Sequence, residues 1–105
     1  MKAVFTAAAR IELQAIGDYI ASDNPRRAIT FIDEIEQHCE KLARRPRMHP
    51  LVRGHEEDGV RKAGHGNYLI FYRMAGDIVE ILHIVHGAQD WERILAGDEA
   101  FGRLV

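Results

Sequence analysis

From residue 9 to residue 42 the apolar side chains recur at helical spacing. Ala9, Leu13, Ile16 and Ile20 fall at i, i+4, i+7 and i+11, with Arg10, Glu12 and Asp18 off that stripe. Thr6 is placed to cap this helix, and the short apolar run "KAVF" (residues 2–5) before it predicts a strand leading into the helix. The first helix should end near Ser22. "SDNP" then stops and restarts the chain, with Asn24 as the next N-cap and Pro25 at the first helical position, where its missing N–H costs nothing. Ala28, Ile32, Ile35, Cys39 and Leu42 form the second stripe, which ends before Pro46 because proline cannot continue a helix. Two amphipathic helices joined by so short a turn are expected to pack antiparallel.

The pattern then changes period. Pro46 to Gly59 holds two prolines, two glycines and mixed charges without periodicity, and predicts a loop, the segment expected to be most mobile. "GVRKAGH" (59–65), "NYLIFYRM" (67–74) and "DIVEILHIVH" (77–86) predict three strands, the last two joined by a tight turn at Gly76. The tail from Gly87 carries Trp91, Ile94, Leu95, Phe101, Leu104 and Val105, enough for a short helix and an apolar end that folds back. The expected architecture is a single domain over residues 1–105: an α+β fold, β-α-α-β-β-β, with two antiparallel helices on one face of a small antiparallel sheet.

A two-residue hairpin loop would put Tyr68, Ile70, Tyr72, Val79, Ile81, His83 and Val85 on one face. The other face would carry Leu69, Phe71, Arg73, Ile78, Glu80, Leu82, Ile84 and His86. Both faces are mostly apolar, whereas a sheet with one solvated face alternates between apolar and polar. Two helices cover one face, so the other needs the tail, a second copy of the chain or a different partner. A partner would dock on Leu69, Phe71, Arg73 and Leu82, with Arg73 and Glu80 as its polar marks.

Composition narrows the function classes. With 47% hydrophobic and 29% charged residues the chain is of globular type, and no apolar run reaches the roughly 18 residues of a membrane span. The N-terminus lacks the features of a secretion signal, so a cytoplasmic location is expected, in agreement with a lone cysteine, Cys39, on a core stripe. A net charge of −2 argues against direct DNA binding, although basic residues gather in "RRPRMHPLVR" (44–53) and at Arg61 and Lys62. His83 and His86, three apart on a strand, point to opposite faces and cannot share a metal ion. His83 is expected to be a satisfied sheet residue, and His86, at the strand end, is the better candidate for a functional contact. Glu56, Glu57 and Asp58 suggest a solvated turn rather than a cation site. No nucleophile motif, phosphate loop or CxxC is present, and no catalytic residue, metal or cofactor is expected.

"ARIELQAIGDYIASDNPRRA" (9–28) followed by "GNYLIFYRMAGDIVEILHIVHGAQD" (66–90) resembles the ParE branch of the ParE/RelE toxins of bacterial type II toxin–antitoxin systems. The most specific pieces are "DYIASDNP", "YLIFYR" and "VEILHIVHGAQD", in order and at the right spacing. The resemblance implies the same two-helix, small-sheet fold and a non-enzymatic toxin that inhibits DNA gyrase. It also implies a ParD-like antitoxin lying on the apolar face, with a homodimer as another use of that face. Contacts with antitoxin or target would then come from Arg61, Lys62, Leu69, Phe71, Arg73, Leu82 and His86. The alternative branch resembles RelE, a ribosome-dependent mRNA endoribonuclease acting through a basic cluster. Its arginine positions fall at Leu69 and Ala88 here, leaving Lys62 with Arg61 beside it and His86. A degenerate, non-toxic binding protein is the third reading, since Gln89 and His83 stand where the ParE branch usually has arginine.

Overall fold

The computed structural model describes residues 1–97; Phe101, Leu104 and Val105 of the expected apolar end lie outside it. The elements are β1 (Lys2–Phe5), α1 (Ala7–Ala21), α2 (Pro25–Arg44), β2 (Arg61–His65), β3 (Tyr68–Ala75), β4 (Ile78–His86) and α3 (Trp91–Gly97). Both helix starts are capped as their sequences dictate. Thr6 Oγ1 accepts from Ala9 N at 3.1 Å, and Asn24 Oδ1 accepts from Arg27 N at 3.1 Å with Pro25 opening α2. The helices run antiparallel. Gly17 faces Ile32 so closely that a Cβ there would sit 2.8 Å from its Cδ1, which is why a glycine is buried in mid-helix.

The sheet order is β1-β4-β3-β2; it is antiparallel as expected through β2, β3 and β4, and β1 adds one parallel pairing, to β4. The β2-β3-β4 meander leaves the outer edge of β4 open, and β1 pairs only with Ile78–Ile81 of it. Beyond that point the edge is finished by side chains. Thr6 Oγ1 donates to Leu82 O at 2.9 Å, and Glu12 Oε1 accepts from Ile84 N at 3.0 Å.

The β3–β4 hairpin turns through Gly76 and Asp77, with Gly76 at a φ of +62° that favours glycine. Its register differs from simple alternation. Tyr72 pairs with Ile81, but Phe71 pairs with His83, so Leu82 is an extra residue in β4. Past this bulge the expected faces exchange. Ile84 joins Ile70, Tyr72, Val79 and Ile81 under the helices, against Leu13, Phe31, Ile35 and Cys39. Val85 instead joins Phe71 and Leu82 on the outer face.

That outer face is covered by the chain itself. Leu95 of α3 and Val52 and Val60 of the 45–60 connection bury Phe71, Leu82 and Val85, with Leu69, Trp91 and Ile94 packed around them. Trp91 lies on Phe71 with ring centroids 5.3 Å apart, and Lys62 Nζ sits 4.5 Å over the Trp91 ring. The connection expected to be most mobile is tethered: Leu51 bridges to Arg61, and Val52 N donates to Val60 O at 2.8 Å. Among the described residues no helix is long and apolar enough to cross a membrane.

Candidate functional site

The seven residues singled out in the sequence do not form one surface. Lys62, Leu69, Phe71, Arg73 and Leu82 lie on the outer face, whereas Arg61 and His86 face the helix side at opposite ends of the sheet. Phe71 and Leu82 are buried under α3 and the Val52–Val60 segment, which corrects their reading as an open docking face. Arg73 pairs with Glu80 at 2.9 Å. Arg61 Nη1 donates to the carbonyls of His49 at 2.6 Å and Arg47 at 3.5 Å, so it ties down the connection after α2.

The sequence did not reveal the groove between α1 and the far end of β4. It begins where β1 stops, because past Thr6 the partner of β4 is the Glu12 side chain rather than a strand. The cavity measures about 660 Å³. Ile16, Ile84, Val85 and Ile94 give it an apolar lining, and Glu12, Asn67, Tyr68, His86 and Gln89 supply the polar groups. Tyr19, 76% exposed, stands at its rim, and Ile11 extends the same helix stripe two turns back. Large apolar side chains left in water around a groove mark a binding surface.

Glu12 is held from two directions. Its Oε2 lies 2.8 Å from Nδ1 of His83, which is only 4% exposed, while Oε1 takes the Ile84 N–H. His83 is thus a satisfied sheet residue. His86 is fixed differently: its Nδ1 accepts from Ala88 N at 3.0 Å, its backbone N donates to Gln89 Oε1 at 3.1 Å, and its ring meets Tyr68 edge-on at 5.2 Å. Gln89 therefore shapes the groove end. The arrangement offers an apolar floor, a polar rim and fixed side chains, which suits binding an apolar segment.

On the other flank of the helix layer, His38 Nδ1 and His65 Nδ1 approach to 2.8 Å, joining α2 to the edge strand β2. Burial, together with nearby His65, His49 and Lys41, holds His38 below its ordinary pKa. The unfolded chain then takes up the proton more readily than the folded one, so His38 stabilises the fold at neutral pH and loses that contribution on acidification below about pH 6.5. Thermal melts from pH 7.5 to 5.5 should show a falling Tm, with a shallower acid limb in His38→Gln. Equal slopes in the two proteins would remove His38 from the account.

Residues 3–91 match the family model described as ParE toxin of type II toxin–antitoxin system, parDE. Among solved structures, the chain is similar to one in the chromosomal ParDE system from P. aeruginosa, at 24% identity and a TM-score of 0.65, over 82% of this chain and 95% of that one. It is also similar to one in the RelBE2 toxin–antitoxin complex from Mycobacterium tuberculosis, at 26% identity and a TM-score of 0.58, over 81% and 95% of the two chains. At these identities the first likeness is one of fold. No curated protein sequence matches the chain.

Proposed function

The chain belongs to the ParE toxin family of type II toxin–antitoxin systems, and from that premise we propose that it arrests growth by binding DNA gyrase, without being an enzyme. A ParD-like antitoxin neutralises it in this reading, laying an apolar segment in the α1–β4 groove. The observation that carries the proposal is the family match, which runs from β1 to the first residue of α3 and so spans most of the groove. Both solved neighbours come from toxin–antitoxin systems, which supports an antitoxin as the partner. A gyrase target implies a cytoplasmic location.

The placement of the polar groups supports a non-enzymatic action. Lys62 is on the outer face against Trp91, His86 is on the helix side against Tyr68, and Arg61 is committed to loop carbonyls. Phosphodiester cleavage needs its acid, base and cation around one phosphate. A RelE-like endoribonuclease is kept as the second reading because one of the two solved neighbours is a chain of a RelBE2 complex.

Induced expression without the antitoxin is expected to give filamentation and a DNA-damage response with intact transcripts, and the purified protein should inhibit gyrase supercoiling. Ribosome-dependent cleavage lost in Lys62→Ala or His86→Ala would instead establish the endoribonuclease. Absence of any growth phenotype, with tight binding to the neighbouring gene product, would leave a non-toxic binding protein.

A further inference from the structure

A second surface lies away from the groove, at the C-terminal end of α2 and in the connection that follows. Lys41, Arg44, Arg45, Arg47 and Arg53 are all exposed, and no acid occurs between Lys41 and His55. None of the five makes an ion pair among the described residues. The rest of the chain holds nine Lys and Arg against sixteen Asp and Glu, so positive charge is concentrated at this one end of an otherwise acidic protein. Lys41 and Arg44, in the last turn of α2, complement the helix dipole. Arg45, Arg47 and Arg53 lie past the helix end, where that explanation no longer applies.

Two further features separate this surface from an ordinary solvated loop. Met48 is 61% exposed and Leu51 41% exposed, within the basic stretch. Arg45, Pro46, Arg47 and Met48 line a shallow cleft of about 430 Å³, which groups two arginines with a methionine. The backbone is also held from beneath. Tyr72 Oη donates to Pro46 O at 3.0 Å, and Arg61 donates to the His49 and Arg47 carbonyls. Such anchoring lowers the ordering cost of binding.

We propose that Arg45 and Arg47 beside Met48, with Arg53 further along the same connection, form a docking site for an acidic segment of a partner protein that carries an apolar side chain between its carboxylates. Arginine forks match carboxylates, and Met48 offers an adaptable seat for the apolar anchor. A single-stranded nucleic acid fits less well, because stacking needs exposed aromatic rings. Tyr19, the one large exposed aromatic among the described residues, is on α1 at the groove. The site is independent of the groove and of the identity of the toxin's target.

Fluorescence anisotropy tests this with a labelled peptide of alternating Glu-Glu-Leu units, a short oligothymidylate serving as the nucleic-acid arm. The wild-type chain should bind the peptide at micromolar concentrations, about tenfold more weakly when salt is raised from low to physiological strength. Arg45→Ser/Arg47→Ser should weaken binding at least about tenfold with an unchanged Tm, Met48→Ser should weaken it less and without changing the salt dependence, and Tyr19→Ser should have no effect. The proposal is overturned by no peptide binding, by binding that survives the double substitution, by loss in Tyr19→Ser, or by an oligonucleotide bound as tightly as the peptide.

Discussion

Glu12→Ala is expected to lower the stability of the folded chain by about 2–4 kcal/mol, the sum of two losses at one carboxylate. The first is a backbone donor. Ile84 is fully buried, and its N–H points away from β3 at the stretch of β4 that β1 does not reach, where it donates to Glu12 Oε1. Leaving such a group buried and unmade costs about 1–3 kcal/mol. The second is the contact with His83, whose ring is buried and cannot exchange Glu12 for bulk water. Glu12 itself keeps 24% of its side-chain surface in solvent, which limits the gain from charge and sets the upper end of the range. Urea unfolding should show a reduced midpoint with an unchanged slope, and the Tm should fall by about 8–20 °C. Glu12→Gln separates the terms: its amide oxygen can still accept from Ile84, so it should cost less than half as much. An alanine variant within about 0.5 kcal/mol of wild type would mean that water replaces the carboxylate, and that α1 does not finish the edge of β4.

These two contacts also show why part of the structure was legible in the sequence and part was not. The helices were legible because spacing and caps are local: Thr6, Asn24 and Pro25 act on residues a few positions away. Glu12 was not, since its partners lie 71 and 72 residues along the chain and its position off the apolar stripe is also that of a solvated acid. The strands were legible from their β-branched and aromatic content, but the bulge at Leu82 was not, because strict alternation has no means of registering one added residue. Its consequence was to exchange Ile84 with Val85 and so to misplace His86. The need for a second cover on the sheet was read correctly from its apolarity. Part of that cover, Val52 and Val60, was hidden in a stretch whose prolines and glycines mask two buried valines. Arg61 was legible only as a surface cation, although Ala63, two residues on and on the same face, is buried in the core.

Leu95→Ala is expected to undock α3 and open the outer face of the sheet. A helix of seven residues is far too short to persist without packing, and Leu95 is its only fully buried side chain among those described. Truncating a core leucine costs about 2–5 kcal/mol when the structure holds. Here release of the helix limits the loss to the docking free energy of α3, expected to be about 2–3 kcal/mol. Trp91 reports the event directly, because it leaves Phe71 and Lys62 for water and its emission should shift to the red. Phe71, Leu82 and Val85 then lose part of their cover, so the variant should bind a hydrophobic dye and self-associate with rising concentration. The helix-side core, built from Ile35, Ile70, Tyr72 and Ile81, should keep its far-UV signal and amide protection. Unchanged Trp91 emission together with a loss under about 1 kcal/mol would show that Val52 and Val60 suffice to cover the face. The result bears on binding as well as on stability. Any partner contact through Phe71 or Leu82 requires α3 to leave first, so the free energy of this docking is subtracted from whatever affinity that face provides.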